Sequence, residues 1–285
     1  MRYTYFMPIT KAIIPVAGWG TRRLPITKAI EKCMLPVGNR PIVDYVVQDC
    51  INAGITDIYF VVGEQSEQLH AYYRENVELT DYLIRNGKQD MLPLIQAPLV
   101  RFHYIVQPSY GKYGTAVPVE LAMPYINEDE SVVVVMGDDC LYNRDGSSDI
   151  ARLVQATPDG QSAILGVPIS ANDTSIQRYG HIISDEAGNL VRIVEHPSPM
   201  PEQFMKNVSK YVLNPAMLQA VSAYVAEEID AGKEYYIFHP FQKVIENGGV
   251  MKVVPATGQY LDAGTPEGWL HANQVVISET HPANL

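Results

Sequence analysis

The chain has 285 residues, 47% of them hydrophobic, and a formal net charge of −11 from 21 Lys and Arg against 32 Asp and Glu. That size supports a sizeable core in one large domain, the acidity argues against a nucleic-acid partner, and no apolar run reaches the roughly 18 residues that span a bilayer. Cys33, Cys50 and Cys140 are scattered without C-x-x-C spacing and read as reduced thiols. The N-terminus MRYTYFMPITK lacks a signal-peptide apolar core, so a cytoplasmic protein is expected.

An apolar, β-prone run over 12–16 ends in Gly18-Trp19-Gly20-Thr21-Arg22-Arg23, the pattern of a buried strand entering a tight loop. Glycines let backbone N–H groups approach a ligand. Arg22, Arg23, Lys28 and Lys32 follow, with Glu31 the one acid among them. A cationic loop on an acidic protein suits a polyphosphate; the same residues could equally be a strand, a turn and a solvated basic face. G-x-x-x-x-G-K-[ST] and G-x-G-x-x-G spacings are both absent, which sets aside a P-loop and weakens a nicotinamide oxidoreductase reading.

Residues 41–53 carry apolar side chains at helical spacing and close on Gly54. A strand is expected at 57–62, a helical excursion at 65–96 broken near Asn86-Gly87, and a strand at 102–107 leading to a helix opened by Gly114-Thr115-Ala116. The run 131–136 is almost wholly apolar, as in a central strand buried on both faces, and ends in Gly137-Asp138-Asp139. Beyond it, strands are expected at 163–169, 181–184, 190–195, 208–213 and 250–254, and helices at 215–228, at 239–247 and from Thr265 onward. The alternation predicts an α/β fold with a largely parallel sheet. Ligands of such sheets gather outside the carboxyl ends of the strands, so the strand ends near 17, 107 and 137 should converge on one crevice.

Ala17-Gly18-Trp19-Gly20-Thr21-Arg22-Arg23-Leu24-Pro25, followed by Lys32-Cys33-Met34-Leu35-Pro36, resembles the signature of the sugar nucleotidyltransferases, A-G-x-G-T-R-x-x-P and then K-x-M-L-P. The intervening Thr27-Lys28-Ala29-Ile30 and the helical excursion are similar to the bacterial UTP–glucose-1-phosphate uridylyltransferases. The resemblance covers about residues 10–270. It implies a nucleotidyltransferase fold, α/β with a Rossmann-like mixed, mostly parallel central sheet flanked by helices. It also implies a single domain with a nucleotide half (1–150) and a sugar half (151–285), Mg²⁺ as cofactor, UTP and a sugar 1-phosphate as substrates, and a homodimer or homotetramer. Such an enzyme substitutes at the α-phosphorus of the triphosphate. The nucleophile is already an anionic phosphate oxygen, so catalysis is positioning plus electrostatics. The chemistry needs a glycine loop, a few cations and carboxylates for Mg²⁺.

Matched residue by residue, the resemblance makes Arg22 and Lys32 the catalytic cations. Ala17, Gly18, Gly20, Thr21, Gln107, Gly114 and Asp139 become nucleotide-binding, with Gln107 and Gly114 reading uracil. Asp138, in Met136-Gly137-Asp138-Asp139, and Asp262, in Leu261-Asp262-Ala263-Gly264-Thr265-Pro266-Glu267, become the metal ligands, although either alone reads as well as a turn residue. Gly180, in Arg178-Tyr179-Gly180, and Glu195 and His196 become sugar-phosphate-binding.

The chain departs from the family pattern in four places. Cys33 replaces a Glu near the nucleotide pocket, and Lys112 replaces the first glycine of G-L-G before Gly114. The segment from Gly232 to His239 replaces G-[GD]-E-I-Q-L-T-D, and His196 replaces the lysine of E-K-P. An unperturbed imidazole is mostly neutral at pH 7, so either His196 binds the sugar phosphate weakly or Lys206, Lys210 or Lys233 supplies the cation. Arg22→Lys is expected to be damaging and Arg23→Lys mild. The alternatives to uridylyl transfer to glucose 1-phosphate are the same chemistry with another sugar 1-phosphate or nucleotide, and a non-catalytic nucleotide-sugar-binding relative.

Overall fold

The computed structural model describes residues 8–158, 160–169, 179–195, 205–230 and 232–280. In chain order, β1 (Lys11–Pro15) is followed by a two-stranded ribbon of β2 (Pro36–Val37) and β3 (Arg40–Pro41), then α1 (Ile42–Asn52) and β4 (Asp57–Gly63). Next come α2 (Gln68–Tyr73), α3 (Val77–Arg85), β5 (Arg101–Gln107), α4 (Val117–Ala122), β6 (Val132–Val135), β7 (Asp139–Tyr142) and α5 (Asp149–Gln155). The second half contributes β8 (Ser162–Pro168), β9 (His181–Ser184), β10 (Leu190–Val194), β11 (Met205–Leu213), α6 (Pro215–Ala226) and α7 (His239–Glu246). It ends with β12 (Met251–Pro255), β13 (Gln259–Asp262) and α8 (Pro266–Thr280).

One nine-stranded mixed sheet organises the molecule, as expected. Its main path is β10-β9-β11-β6-β1-β4-β5, with β8 pairing β11 and β12. The β6-β1-β4-β5 stretch and the β8–β12 pair are parallel, whereas β11 runs antiparallel to β6, β8 and β9. β1, β4 and β6 are apolar because both faces are covered. Ala12 and Ile14 join one core cluster with α1, while Ile13 joins another with α4 and α6. Each such buried side chain stabilises by about 1.5–3 kcal/mol. Helix α1 buries Ile42, Val43, Val46, Val47 and Cys50 and stops before Gly54, whose φ of 86° is left-handed. The excursion after β4 is helical and is interrupted at Asn86-Gly87, as its sequence predicts.

The structure differs from the sequence expectation at β11, at α5 and at the β7–β13 ribbon. β11 begins at Met205 rather than 208. The short helix α5 was not anticipated; it is only seven residues long and is capped by Ser148, whose Oγ accepts from the Ala151 amide at 2.8 Å. The β7–β13 ribbon was also missed. Its strands are short, carry aspartates at their ends, and pair with each other rather than with the main sheet. All three cysteines are free and buried. Among the described residues no helix is long and apolar enough to cross a membrane.

Candidate active site

The carboxyl ends of β1, β4 and β5 open onto a cavity of about 290 Å³ whose walls include Ala17, Gly18, Lys28, Lys32, Gln107 and Ser109. The loop shape depends on Gly20. Its φ is 63°, and a Cβ there would lie 2.9 Å from the Thr27 methyl group. The Gly20 carbonyl accepts from Thr27 Oγ1 at 2.9 Å. Glu31, the lone acid in the basic loop, closes one wall. Its Oε1 accepts from the amides of Glu67 at 3.0 Å and Gln68 at 2.7 Å, where α2 begins, and its Oε2 accepts from Ser66 Oγ. An anion is favourable at a helix start, where amides lack intrahelical partners.

Gly20 and Thr21 are not in the cavity wall, and Thr21 is exposed on the following turn. Gly114 is not in the wall either. Its φ is 127°, and a Cβ would collide with the Tyr235 backbone. The Ala116 amide donates to the Tyr235 carbonyl and the Tyr235 amide to the Tyr113 carbonyl, both at 2.8 Å, so Gly114 allows two backbone segments to touch. Cys33 packs in the core instead of lining the pocket. Burial first, and then the charge of Glu31, push its thiol well above the ordinary range. Lys112 reaches the C-terminal end of α6, donating to the Glu227 carbonyl at 3.2 Å beside the Tyr235 ring. A cation there complements the helix dipole, so this departure has a structural role.

The β7–β13 ribbon builds the charged centre. It sets Asp139 directly opposite Asp262, with Asp138 one residue upstream. Asp138 is paired with Lys32. Asp139 is buried, paired with Lys210 from β11, and accepts from Tyr260 Oη at 3.1 Å. Asp262 accepts from Tyr179 Oη at 2.9 Å and from the Gly264 amide at 2.7 Å. Gly264 marks where these groups meet. A Cβ on it would lie 2.7 Å from Asp262 Oδ1 and 3.5 Å from both Arg22 Nη2 and Lys32 Nζ.

Burial alone would raise the Asp138 carboxyl, but the charge and hydrogen bond of Lys32 hold it below its ordinary value. Burial pushes Asp139 up to about 6 against the pull of Lys210, leaving both ionised at neutral pH. Burial, and then the neighbouring carboxylates, raise the phenols of Tyr179 and Tyr260, which therefore act as donors. Among the described residues no cluster of three or more His, Cys, Asp or Glu is arranged to hold a metal. Asp138 and Asp262 nonetheless bring two hard oxygen donors together. That set suits a divalent cation that takes its remaining ligands from phosphate and water.

The residues expected on the sugar side fall on or beside β9, β10, β11 and the 232–239 segment. The Gly180 carbonyl accepts from the Asn207 amide at 2.8 Å, and its Cα faces Ile193. Glu195 is exposed at the end of β10, within electrostatic reach of Tyr236 and His239. Tyr236 stacks with Phe238 at 5.6 Å between centroids, and His239 Nδ1 lies 2.9 Å from Tyr224 Oη. Lys233 pairs with Asp230 at the exposed rim. His196 and Arg178 lie outside the described residues. Tyr260, Lys210 and Glu31 carry roles that sequence reasoning missed, because their partners are remote in the chain. Only the isolated acid of Glu31 among basic residues gave a local signal.

The nucleotidyl transferase family model matches residues 11–279. The chain is similar to a UTP–glucose-1-phosphate uridylyltransferase of Pseudomonas aeruginosa, 31% identical over 273 residues, which is 93% of this chain and 94% of that one. It is likewise similar to UTP–glucose-1-phosphate uridylyltransferase 1 of Staphylococcus saprophyticus, 31% identical and covering 80% of this chain and 79% of that one. Among solved structures, it is similar to a UTP-bound UGPase from Acinetobacter baumannii, with a TM-score of 0.80 and 25% identity over 96% of this chain and 95% of that one.

Proposed function

The chain belongs to the nucleotidyl transferase family, and from that premise we propose that it transfers uridylyl from UTP to glucose 1-phosphate, the substrates its curated relatives are named for. The observation that carries the reading is the meeting of Arg22, Lys32 and Asp262 at Gly264, with Asp138 paired to the same lysine, beside a glycine-walled cavity.

In this reading the sugar phosphate oxygen attacks the α-phosphorus, a new P–O bond forms, and the α–β anhydride bond breaks with its electron pair leaving on pyrophosphate. The backbone of Ala17 and Gly18 lies along the nucleotide, and the Gln107 amide at the end of β5 meets the uracil edge. Gly20 and Thr21 shape the loop, and Gly114 fixes the loop after β5 against Tyr235. Arg22 and Lys32 hold the phosphates as negative charge moves toward the leaving group. Asp139, next to Asp138 in the chain, is neutralised by Lys210. Asp138 and Asp262 would hold the divalent cation, for which we choose Mg²⁺; when bound it supplies positive charge to the phosphate oxygens. Gly180 and Glu195 border the sugar, with His196 assigned there by sequence alone. The proposal includes a nucleotide half and a sugar half within one domain, and a homodimer or homotetramer in the cytoplasm.

A second reading keeps the chemistry and changes the sugar. The stacked Tyr236 and Phe238 beside Glu195 favour a sugar with an apolar face over an all-polar contact. The test is pyrophosphate release from UTP, dTTP, CTP and GTP against a panel of sugar 1-phosphates with Mg²⁺. Release with UTP and glucose 1-phosphate is expected, falling at least about 100-fold in Asp138→Asn with its circular dichroism unchanged. Release only with another sugar supports the second reading, and no release with any pair overturns both.

A further inference from the structure

We propose that Glu31 is a positioning residue for Lys32, a role that rests on the phosphate-holding task given to that lysine in the reaction proposed above. The stretch between β1 and β2 that carries Arg22, Lys28 and Lys32 is built from single turns of 3-10 helix at Thr21–Arg23, Ile26–Lys28 and Lys32–Met34. Such turns have poorer hydrogen-bond geometry than an α-helix and hold themselves weakly. The stretch therefore needs an anchor outside itself if its lysines are to stand at fixed points. Glu31 supplies one. Its amide donates to Gln68 Oε1 at 2.9 Å, and Gln68 Nε2 donates to the Ala29 carbonyl at 2.9 Å. Its carboxylate accepts from Ser66 Oγ and from three consecutive amides, those of Glu67, Gln68 and Leu69, at 3.0, 2.7 and 3.3 Å. Bonds to an ionised acceptor are roughly twice as strong as neutral ones. The backbone and the side chain of one residue are thus both tied to the start of α2.

This clasp acts on the cavity and on the lysine together. Residues 27–32 and 63–68 both line the cavity, so the bonds of Glu31 and Gln68 join two of its walls. The second wall runs straight out of β4, whose first six residues are buried in the sheet. Lys32 is the next residue after Glu31, and its backbone shares that frame. Its ammonium pairs with Asp138, while the Glu31 oxygens go to amides and a hydroxyl. A lysine stem is flexible, so a fixed backbone limits where the ammonium can stand once phosphate competes with Asp138 for it. Where catalysis is positioning plus electrostatics, a misplacement of about 1 Å can cost about 100-fold in rate.

A double-mutant cycle of Glu31→Ala with Lys32→Met separates this role from a structural one. UTP Kd is measured by calorimetry with Mg²⁺ and no sugar phosphate, and kcat is measured with glucose 1-phosphate. In the otherwise wild-type protein, Glu31→Ala should raise the UTP Kd at least about fivefold and lower kcat at least about tenfold. In the Lys32→Met background the same change should move neither by more than about twofold. Glu31→Gln keeps the shape and one oxygen for the amides, and its effects should fall between. Losses that multiply in the double variant would show that Glu31 acts independently of Lys32, and overturn the role. A lowered urea midpoint with UTP Kd and kcat unmoved would reduce the clasp to a brace of the fold, which overturns it as well. Should Glu31→Ala fail to fold, Glu31→Gln and Gln68→Ala are carried through the same cycle. Wild-type protein that binds UTP but turns over no sugar 1-phosphate sinks the transfer reaction, and the cycle on UTP Kd still decides the role of Glu31. Wild-type protein that binds no UTP sinks both.

Discussion

Arg22 and Arg23 are adjacent in the chain and do different work. Arg22 is exposed and brings its guanidinium to the point where Asp262 and Lys32 meet. Arg23 is 8% exposed and lies over the Trp269 ring at 5.3 Å, tying the loop to α8. Arg22→Lys should lower kcat/KM at least about tenfold, because an ammonium cannot reproduce a bidentate hold on phosphate. Sequence alone suggests that Arg23→Lys is mild, and a mild effect on turnover is expected. Its structural contact adds a cost of about 1 kcal/mol in unfolding free energy from lost stacking, readable by urea denaturation. Comparable kinetic losses in both variants would sink the distinction. At this scale the loop residues Gly18, Arg22 and Lys32 can be picked out as candidates from local sequence. It gives no sign of Tyr260, whose hydroxyl reaches Asp139 only when β7 and β13 pair.

Among the elements, β4 and β5 were legible because each is a compact run of β-prone residues, and α1 because its apolar spacing ends on a glycine. The β7–β13 ribbon was not, since four-residue strands with charged ends give no periodic signal. Yet that ribbon sets Asp262 opposite Asp139, the residue after Asp138. The β4–β5 pair shows how polar residues secure an edge strand. Asp57 opens β4 opposite Arg101 of β5, accepting from Arg101 Nε at 2.7 Å and Thr56 Oγ1 at 2.9 Å, with His103 Nε2 at 3.0 Å. The hydrogen bond from Arg101 is the main reason its carboxyl is held well below the ordinary carboxylate range, against the effect of burial. A carboxyl depressed in the folded state stabilises above the unfolded value of about 3.9, and the contribution fades as pH falls through the folded value. Asp57→Asn should therefore cost about 1 kcal/mol at pH 7, modest because Arg101 is largely in solvent, and the gap from wild type should narrow below about pH 4. A gap constant from pH 7 to pH 3 would mean the charge contributes nothing.

At the scale of the whole molecule, the alternation of strands and helices made the fold class readable, whereas the way the halves interlock was not. The apolar residues of β6 predict a central strand but do not name its neighbours, β1 on one side and, on the other, β11, more than 70 residues away. A fragment ending at residue 150 would leave β6 with an open edge and Asp139 without Lys210. It should give no cooperative unfolding transition and poorly dispersed amide signals by NMR. A folded 1–150 fragment would show that the nucleotide half is autonomous. β11 also pairs β8 and β9 and carries both Lys206 and Lys210. One strand thus carries the counter-ion of Asp139 and joins both β8 and β9, which border the proposed sugar side. For anyone redesigning sugar choice, transplanting the second half from a relative would exchange the counter-ion of Asp139 along with the sugar contacts. Grafting 232–239 alone would leave that counter-ion in place.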